Sequence, residues 1–257
     1  MKVGGMGLHY RMTGEGPPIL LLHGAAEDVD LLAPQAEAFA ARGRRVIWAD
    51  RRGTGLSSRE GWPCGIEGHA DDAADLLLGL DAAPATVLGF SSGGVVALVL
   101  AARHPEVVRE AIAWEPAALG LLPDAEALHA GIMAPIEAYL VERPDDWSGA
   151  YRVMLDVLSD GRADHDAPAV QAMRRNAEAA LRDDARIITR HQFAEGELPP
   201  DRVEVAIGAG TDPLHAAVAA RLSELIGKPA LVVAEADDHE VYLNRPEVLA
   251  DAWAERW

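Results

Sequence analysis

The chain is poor in several things that would otherwise suggest a function. Among its 257 residues there is one cysteine, Cys64, so no disulfide can form within the chain and no C-x-x-C metal or redox spacing exists. Basic residues are outnumbered, 23 Lys and Arg against 41 Asp and Glu, and the formal charge of -18 would repel a phosphate backbone or an anionic membrane. No strong basic patch overrides that average. Arg42, Arg44, Arg45, Arg51 and Arg52 gather around one strand, and the expectation for them is a solvated, ion-paired surface. The longest apolar run, Val95 to Ala102, is far too short to cross a bilayer, and the first sixteen residues contain no apolar stretch of signal-peptide type. A soluble cytoplasmic protein is expected. Three Phe and four Tyr are few for this length, which points to an aliphatic core with the six Trp free for pocket walls or cap contacts.

What the chain does have is alternation. Apolar strands are predicted over 8–12, 17–22, 46–49, 85–90 and 107–114, with helices over 30–42, 69–80 and 93–102 between them. Strands that are apolar throughout and alternate with helices predict a parallel α/β sheet covered on both faces. The alternation stops after Pro116. From about 117 to 200 only helical spacing is found: Leu128, Ile132, Ile136 and Tyr139 share one face, then Trp147, Tyr151, Met154 and Leu158, then Val170, Met173, Ala177 and Leu181. Strands resume over 203–207 and 230–234, with helices over 213–226 and 241–257. The expected architecture is one domain spanning 1–257, with a helical cap inserted at about 117–200 over the strand ends.

Gly89-Phe90-Ser91-Ser92-Gly93 falls where an apolar strand runs into a small-residue helix, the context in which G-x-S-x-G marks a nucleophile elbow. Such a turn holds its central residue in a strained backbone conformation and needs glycines for clearance. Ser91 is therefore the candidate nucleophile. The Ser92 N–H at the helix start and the Ala25 N–H in His23-Gly24-Ala25-Ala26 are the candidate oxyanion donors. A serine hydroxyl needs a base, and the candidate is His239 in Glu235-Ala236-Asp237-Asp238-His239-Glu240, after the last strand. Two acids compete to orient it. Asp212 follows the next-to-last strand and gives the chain order Ser, Asp, His; Glu115 ends the strand directly after the nucleophile helix. His23 reads as a loop brace. Phe90, with Met133, Tyr139, Trp147, Tyr151 and Met154 of the cap, are candidates for a pocket lining together with His23, although their helical register fits burial within the cap equally well.

These residues resemble the α/β-hydrolase family over nearly the whole chain: His23-Gly24 after the early strand, Asp50-Arg51-Arg52-Gly53-Thr54-Gly55-Leu56-Ser57, the elbow at Gly89 to Gly93, and His239 near the end. The stretch Ala101-Ala102-Arg103-His104-Pro105-Glu106 followed by Trp114-Glu115-Pro116 is similar to a bacterial esterase-like subgroup with a Glu-Pro pair after that strand, which favours Glu115 slightly. The usual aspartate of the family would fall at Thr211, and Asp212 is one place late. The resemblance implies a serine hydrolase acting on a carboxylic ester or lactone of a small, mostly apolar molecule. The same triad could instead serve perhydrolysis, carbon-carbon cleavage or a biosynthetic rearrangement, and a ligand receptor retaining the fold is the non-enzymatic alternative. A serine at the elbow argues against the epoxide- and halide-processing relatives, which use an aspartate there. No cofactor is expected, and no metal role: H-E-x-x-H is absent, and Asp164-His165-Asp166 reads as a helix-end loop. The expected partner is a small-molecule substrate rather than nucleic acid or membrane, and pairing into a homodimer is compatible with the pattern.

Overall fold

The computed structural model describes residues 7–254 and 256. Seven strands form one sheet in the order β1-β3-β2-β4-β5-β6-β7. They are β1 (Tyr10–Thr13), β2 (Pro18–Leu22), β3 (Arg45–Ala49), β4 (Ala85–Phe90), β5 (Val108–Trp114), β6 (Val203–Gly208) and β7 (Leu231–Val233). β1 pairs antiparallel with β3, and each of the other neighbouring pairs is parallel. The early strand starts two residues later than its apolar pattern suggested, because Tyr10 is the first residue with a partner on β3, Ala49.

Alternate residues of each central strand feed opposite cores. Leu20 and Leu22 of β2, with Ala111 and Ala113 of β5, pack beneath α2 (Gly65–Gly79), α3 (Ser92–Arg103) and α8 (Pro213–Ile226). Ile19 and Leu21, with Ile112 and Trp114, pack against α1 (Val29–Ala40), α9 (Val241–Asn244) and α10 (Pro246–Ala254). Both faces of the sheet are thereby covered, which is why β4 is buried at every residue. The final helix is interrupted: α9 ends at Asn244 and Pro246, lacking an amide hydrogen, opens α10. Glu255 and Trp257, the last part of that predicted helix, lie outside the described residues.

Between β5 and β6 lie α4 (Ala125–Glu142), α5 (Trp147–Ser159), α6 (Pro168–Met173), α7 (Ala177–Ala179) and a π turn, Ala180–Asp184. Met133, Ile136, Tyr151, Met154, Met173, Ala177 and Leu181 form an apolar cluster of their own, and Ala26 of the loop after β2 belongs to it. The third predicted stripe is not one continuous helix. Asn176 breaks it by turning its side chain onto the carbonyls of Ala26 and Glu27, the Asp28 carboxylate and the Gly55 N–H. The π turn then sends two acids inward: Asp183 receives His69 Nε2 and Trp62 Nε1, and Asp184 receives Arg51 Nη2 at 2.6 Å. Polar groups withdrawn from water need such partners. The arginine cluster is correspondingly different from the solvated surface expected of it. Arg42 pairs with Asp251 at the surface, but Arg51 and Arg52 are buried, on Asp184 and Asp72. Among the described residues no helix is long and apolar enough to cross a membrane.

Candidate active site

The C-terminal ends of β2, β4 and β5 lead into three residues other than glycine with left-handed backbone: Ala26 (φ 63°), Ser91 (φ 52°) and Glu115 (φ 39°). L-residues hold such conformations only where their surroundings enforce them. At Ser91 the enforcement is visible. Its N–H donates to the Trp114 carbonyl on β5, and its own carbonyl accepts from Gly94 and Ala117. A Cβ on Gly89 would strike the Gly93 carbonyl, and one on Gly93 would strike the Leu22 and His23 carbonyls. The two glycines let helix α3 start hard against the strands, with Ser91 half-buried at the crest of the turn. The Ser92 N–H, the first of α3, has no carbonyl one turn back to receive it, and the positive end of the helix lies at the same place.

The loop carrying Ala25 is held from three sides. His23 is fully buried, with Nδ1 2.7 Å from the Gly24 carbonyl, and its Nε2 accepts the Arg51 N–H at 3.0 Å. Burial and the neighbouring Arg51 charge push this imidazole well below its ordinary pKa, so it is neutral, as a brace should be. The Gly24 N–H donates to Glu27 Oε2 at 2.9 Å, and Tyr242 donates to Glu27 Oε1 at 2.5 Å. Burial lifts the Glu27 pKa to about 7, against the pull of those two donors.

His239 Nδ1 lies 2.7 Å from Glu115 Oε2. The other oxygen of Glu115 accepts the Gly208 N–H at 3.0 Å and the Thr211 hydroxyl. Burial disfavours the charge on Glu115, but these three donors outweigh it and hold the carboxyl below the usual range. For His239 burial pulls downward, and the paired Glu115 charge overcomes it, so its pKa is raised. Asp212 is placed elsewhere. It caps α8, accepting the N–H groups of Leu214 and His215, and its second oxygen meets His215 Nδ1 at 2.5 Å, which holds its pKa well below the ordinary value. Of the two acids considered, the structure therefore puts Glu115 on His239 and gives Asp212 a helix cap.

Aromatic stacking ties the base loop to the elbow. Tyr242 stacks on Phe90, 4.1 Å between centroids, and meets His239 edge-on at 6.5 Å. Among the described residues Ser91 Oγ makes no side-chain hydrogen bond, to His239 or to any other residue. Phe90 is fully buried under Tyr242 and is a core residue rather than a pocket wall. Met133, Tyr151 and Met154 are buried beside Ala26, facing the candidate oxyanion loop. Tyr139 and Trp147 brace the outer hairpin of the cap, where the Tyr139 hydroxyl donates to Asp146. Arg51, Glu27, Thr211 and His215 are the residues the sequence reading did not single out here. The one signal for Thr211 was its place, where the family's usual acid would stand.

Among the described residues, two groups of side chains each bring three ligand-type atoms within 4.8 Å: Glu115, His215 and His239, and Cys64, His69 and Asp183. In the first, the imidazole planes are nearly parallel, so their lone pairs run side by side rather than toward a common point. In the second, burial pushes the Cys64 thiol up to about 12. His165 of the acidic cap loop is engaged with Asp156.

A family model described as alpha/beta hydrolase fold matches residues 17–246. The chain belongs to the α/β-hydrolase family. It is 41% identical over 126 residues to a Bacillus subtilis (strain 168) protein named uncharacterized hydrolase YraK, covering 48% of this chain and 45% of that one. It is 32% identical over 168 residues to the mouse serine hydrolase BPHL, covering 57% of each chain. The alignments thus span about half the length of these curated relatives. A solved α/β hydrolase from Sphaerobacter thermophilus DSM 20745 superposes with a TM-score of 0.73 at 22% identity, covering 99% of this chain and 98% of that one, a likeness of fold.

Proposed function

We propose that this α/β-hydrolase is a serine hydrolase that cleaves a carboxylic ester or lactone of a small, mostly apolar molecule through an acyl-enzyme. The observation that carries the reading is the His239–Glu115 pair at the end of β5, the strand paired with the one that leads into a serine held at φ 52° before a helix start. Ser91 Oγ attacks the carbonyl carbon as His239 Nε2 takes its proton, and Glu115 stabilises the imidazolium that forms. The carbonyl oxygen, now an anion, accepts from the Ala25 and Ser92 N–H groups. His239 then protonates the departing alkoxide, activates water against the acyl-serine, and returns the proton to Ser91 Oγ. Met133, Tyr151 and Met154 beside the oxyanion loop favour an apolar acyl or alcohol group there. The relative named serine hydrolase supports the same reaction type.

The test is labelling with a fluorophosphonate probe alongside turnover of p-nitrophenyl butyrate. Adduct on Ser91, and loss of both signals in Ser91→Ala, are expected. Turnover that persists in Ser91→Ala would remove the mechanism.

A further inference from the structure

None of the steps above uses His215, yet its imidazole lies face to face with that of His239, with ring centroids 4.2 Å apart and planes inclined by 22°. It sits in the first turn of α8, and its orientation is set twice by one residue. Asp212 accepts the His215 backbone N–H at one oxygen and meets His215 Nδ1 at 2.5 Å with the other. Pro213, at the first helical position, stiffens the same turn. His239, by contrast, is carried on a loop between β7 and α9. Glu115 fixes its Nδ1 from the edge, and Tyr242 approaches edge-on at 86°. A single hydrogen bond at Nδ1 leaves the ring free to tilt about that bond, and tilting swings Nε2 away from the serine.

We infer that His215 is a positioning residue for the base. Its flat face, aimed by Asp212, holds the plane of His239 so that Nε2 stays directed at Ser91 Oγ. The inference rests on His239 being the base of the proposed hydrolase. What is required of residue 215 is a planar ring, so another aromatic replaces it and a methyl group does not. Because the alignment of base and nucleophile sets the rate of the chemical step, the effect falls on kcat and leaves KM nearly unchanged.

The experiment measures kcat and KM for p-nitrophenyl butyrate, and the rate of fluorophosphonate labelling, in wild type, His215→Ala and His215→Phe, with thermal melts on each. The same two substitutions are then made in a His239→Ala background. Expected are a fall in kcat of about 10- to 100-fold in His215→Ala with KM within about threefold, recovery to within about threefold of wild type in His215→Phe, and no further loss from either change once His239 is absent. Unchanged kcat in His215→Ala overturns the inference. So does a His215→Phe variant as slow as the alanine variant, or an equal loss without His239, since each assigns residue 215 a role that does not pass through the imidazole face. His215→Phe keeps the question answerable if His215→Ala melts early. A wild type that neither turns over ester nor labels defeats the hydrolase reading itself, and the inference falls with it.

Discussion

The Thr211 hydroxyl donates to Glu115 Oε1, so the position where the family's usual acid would stand supports an acid delivered from the neighbouring strand. Glu115 is consequently gripped by donors from β6, from the turn after it and from the base loop. Replacing it should expose the division of labour between the two carboxylates. Glu115→Gln is expected to reduce kcat by about 10³- to 10⁴-fold, the scale of losing a triad acid. Asp212→Asn keeps a cap for α8 and is expected to cost less than about tenfold. Steady-state kinetics on a p-nitrophenyl ester compares them directly, and the reverse ranking would reassign the acid.

The acid limb of the pH profile follows from the same pair. In the proposed mechanism His239 must be neutral to accept the Ser91 proton, and the adjoining Glu115 charge raises its pKa above 6.5 despite burial. kcat/KM should therefore climb with pH through a midpoint above 6.5. In Glu115→Gln the charge is gone, and the residual activity should show its midpoint at lower pH. A profile measured between about pH 5 and pH 9 reads both.

Glu27 makes a prediction about stability. Its pKa is near 7 in the fold against an ordinary 4.5, so the folded protein keeps a proton that the unfolded chain releases. Stability linked to this group is full below about 4.5, falls as pH rises, and is lost above about 7, by on the order of 3 kcal/mol. Glu27→Gln can still accept from Gly24 N–H and has no proton to lose. Its stability relative to wild type should increase between pH 4.5 and pH 8, as followed by urea denaturation at each pH.

Arg51 and Asp184 are a buried pair between sheet and cap, 5% and 2% exposed at their side chains. Removing one partner strands the other charge away from water, at a cost of about 3–5 kcal/mol. Asp184→Leu and Arg51→Met should each lower the melting temperature by several degrees, whereas the two changes together should recover most of the loss. Calorimetry on the four proteins tests this coupling.

The strands, the turn at Ser91 and the run of helices between β5 and β6 were legible because each is written in contiguous residues: an all-apolar β4, glycines flanking Ser91, and helical spacing alone between Pro116 and Val203. The acid was not, because Glu115 and Asp212 both follow strands that end on the same edge, and only the side-chain directions separate them. His215 was hidden for a similar reason, as nothing in Pro213-Leu214-His215 announces a ring 24 positions away in the chain. Arg51 and Arg52 misled by composition: two adjacent arginines beside a loop resemble surface charge until the acids that meet them, Asp184 and Asp72, are brought in from distant segments.

The π turn at Ala180–Asp184 aims two neighbouring carboxylates at two different partners, Arg51 and His69. Neighbours on a regular α-helix diverge by about 100°, and one residue fewer in this turn would rewind it to that form. A single-codon deletion there would thus release the segment between β5 and β6 at both anchors simultaneously, whereas the same deletion at the exposed Gly161 turn would leave both anchors in place.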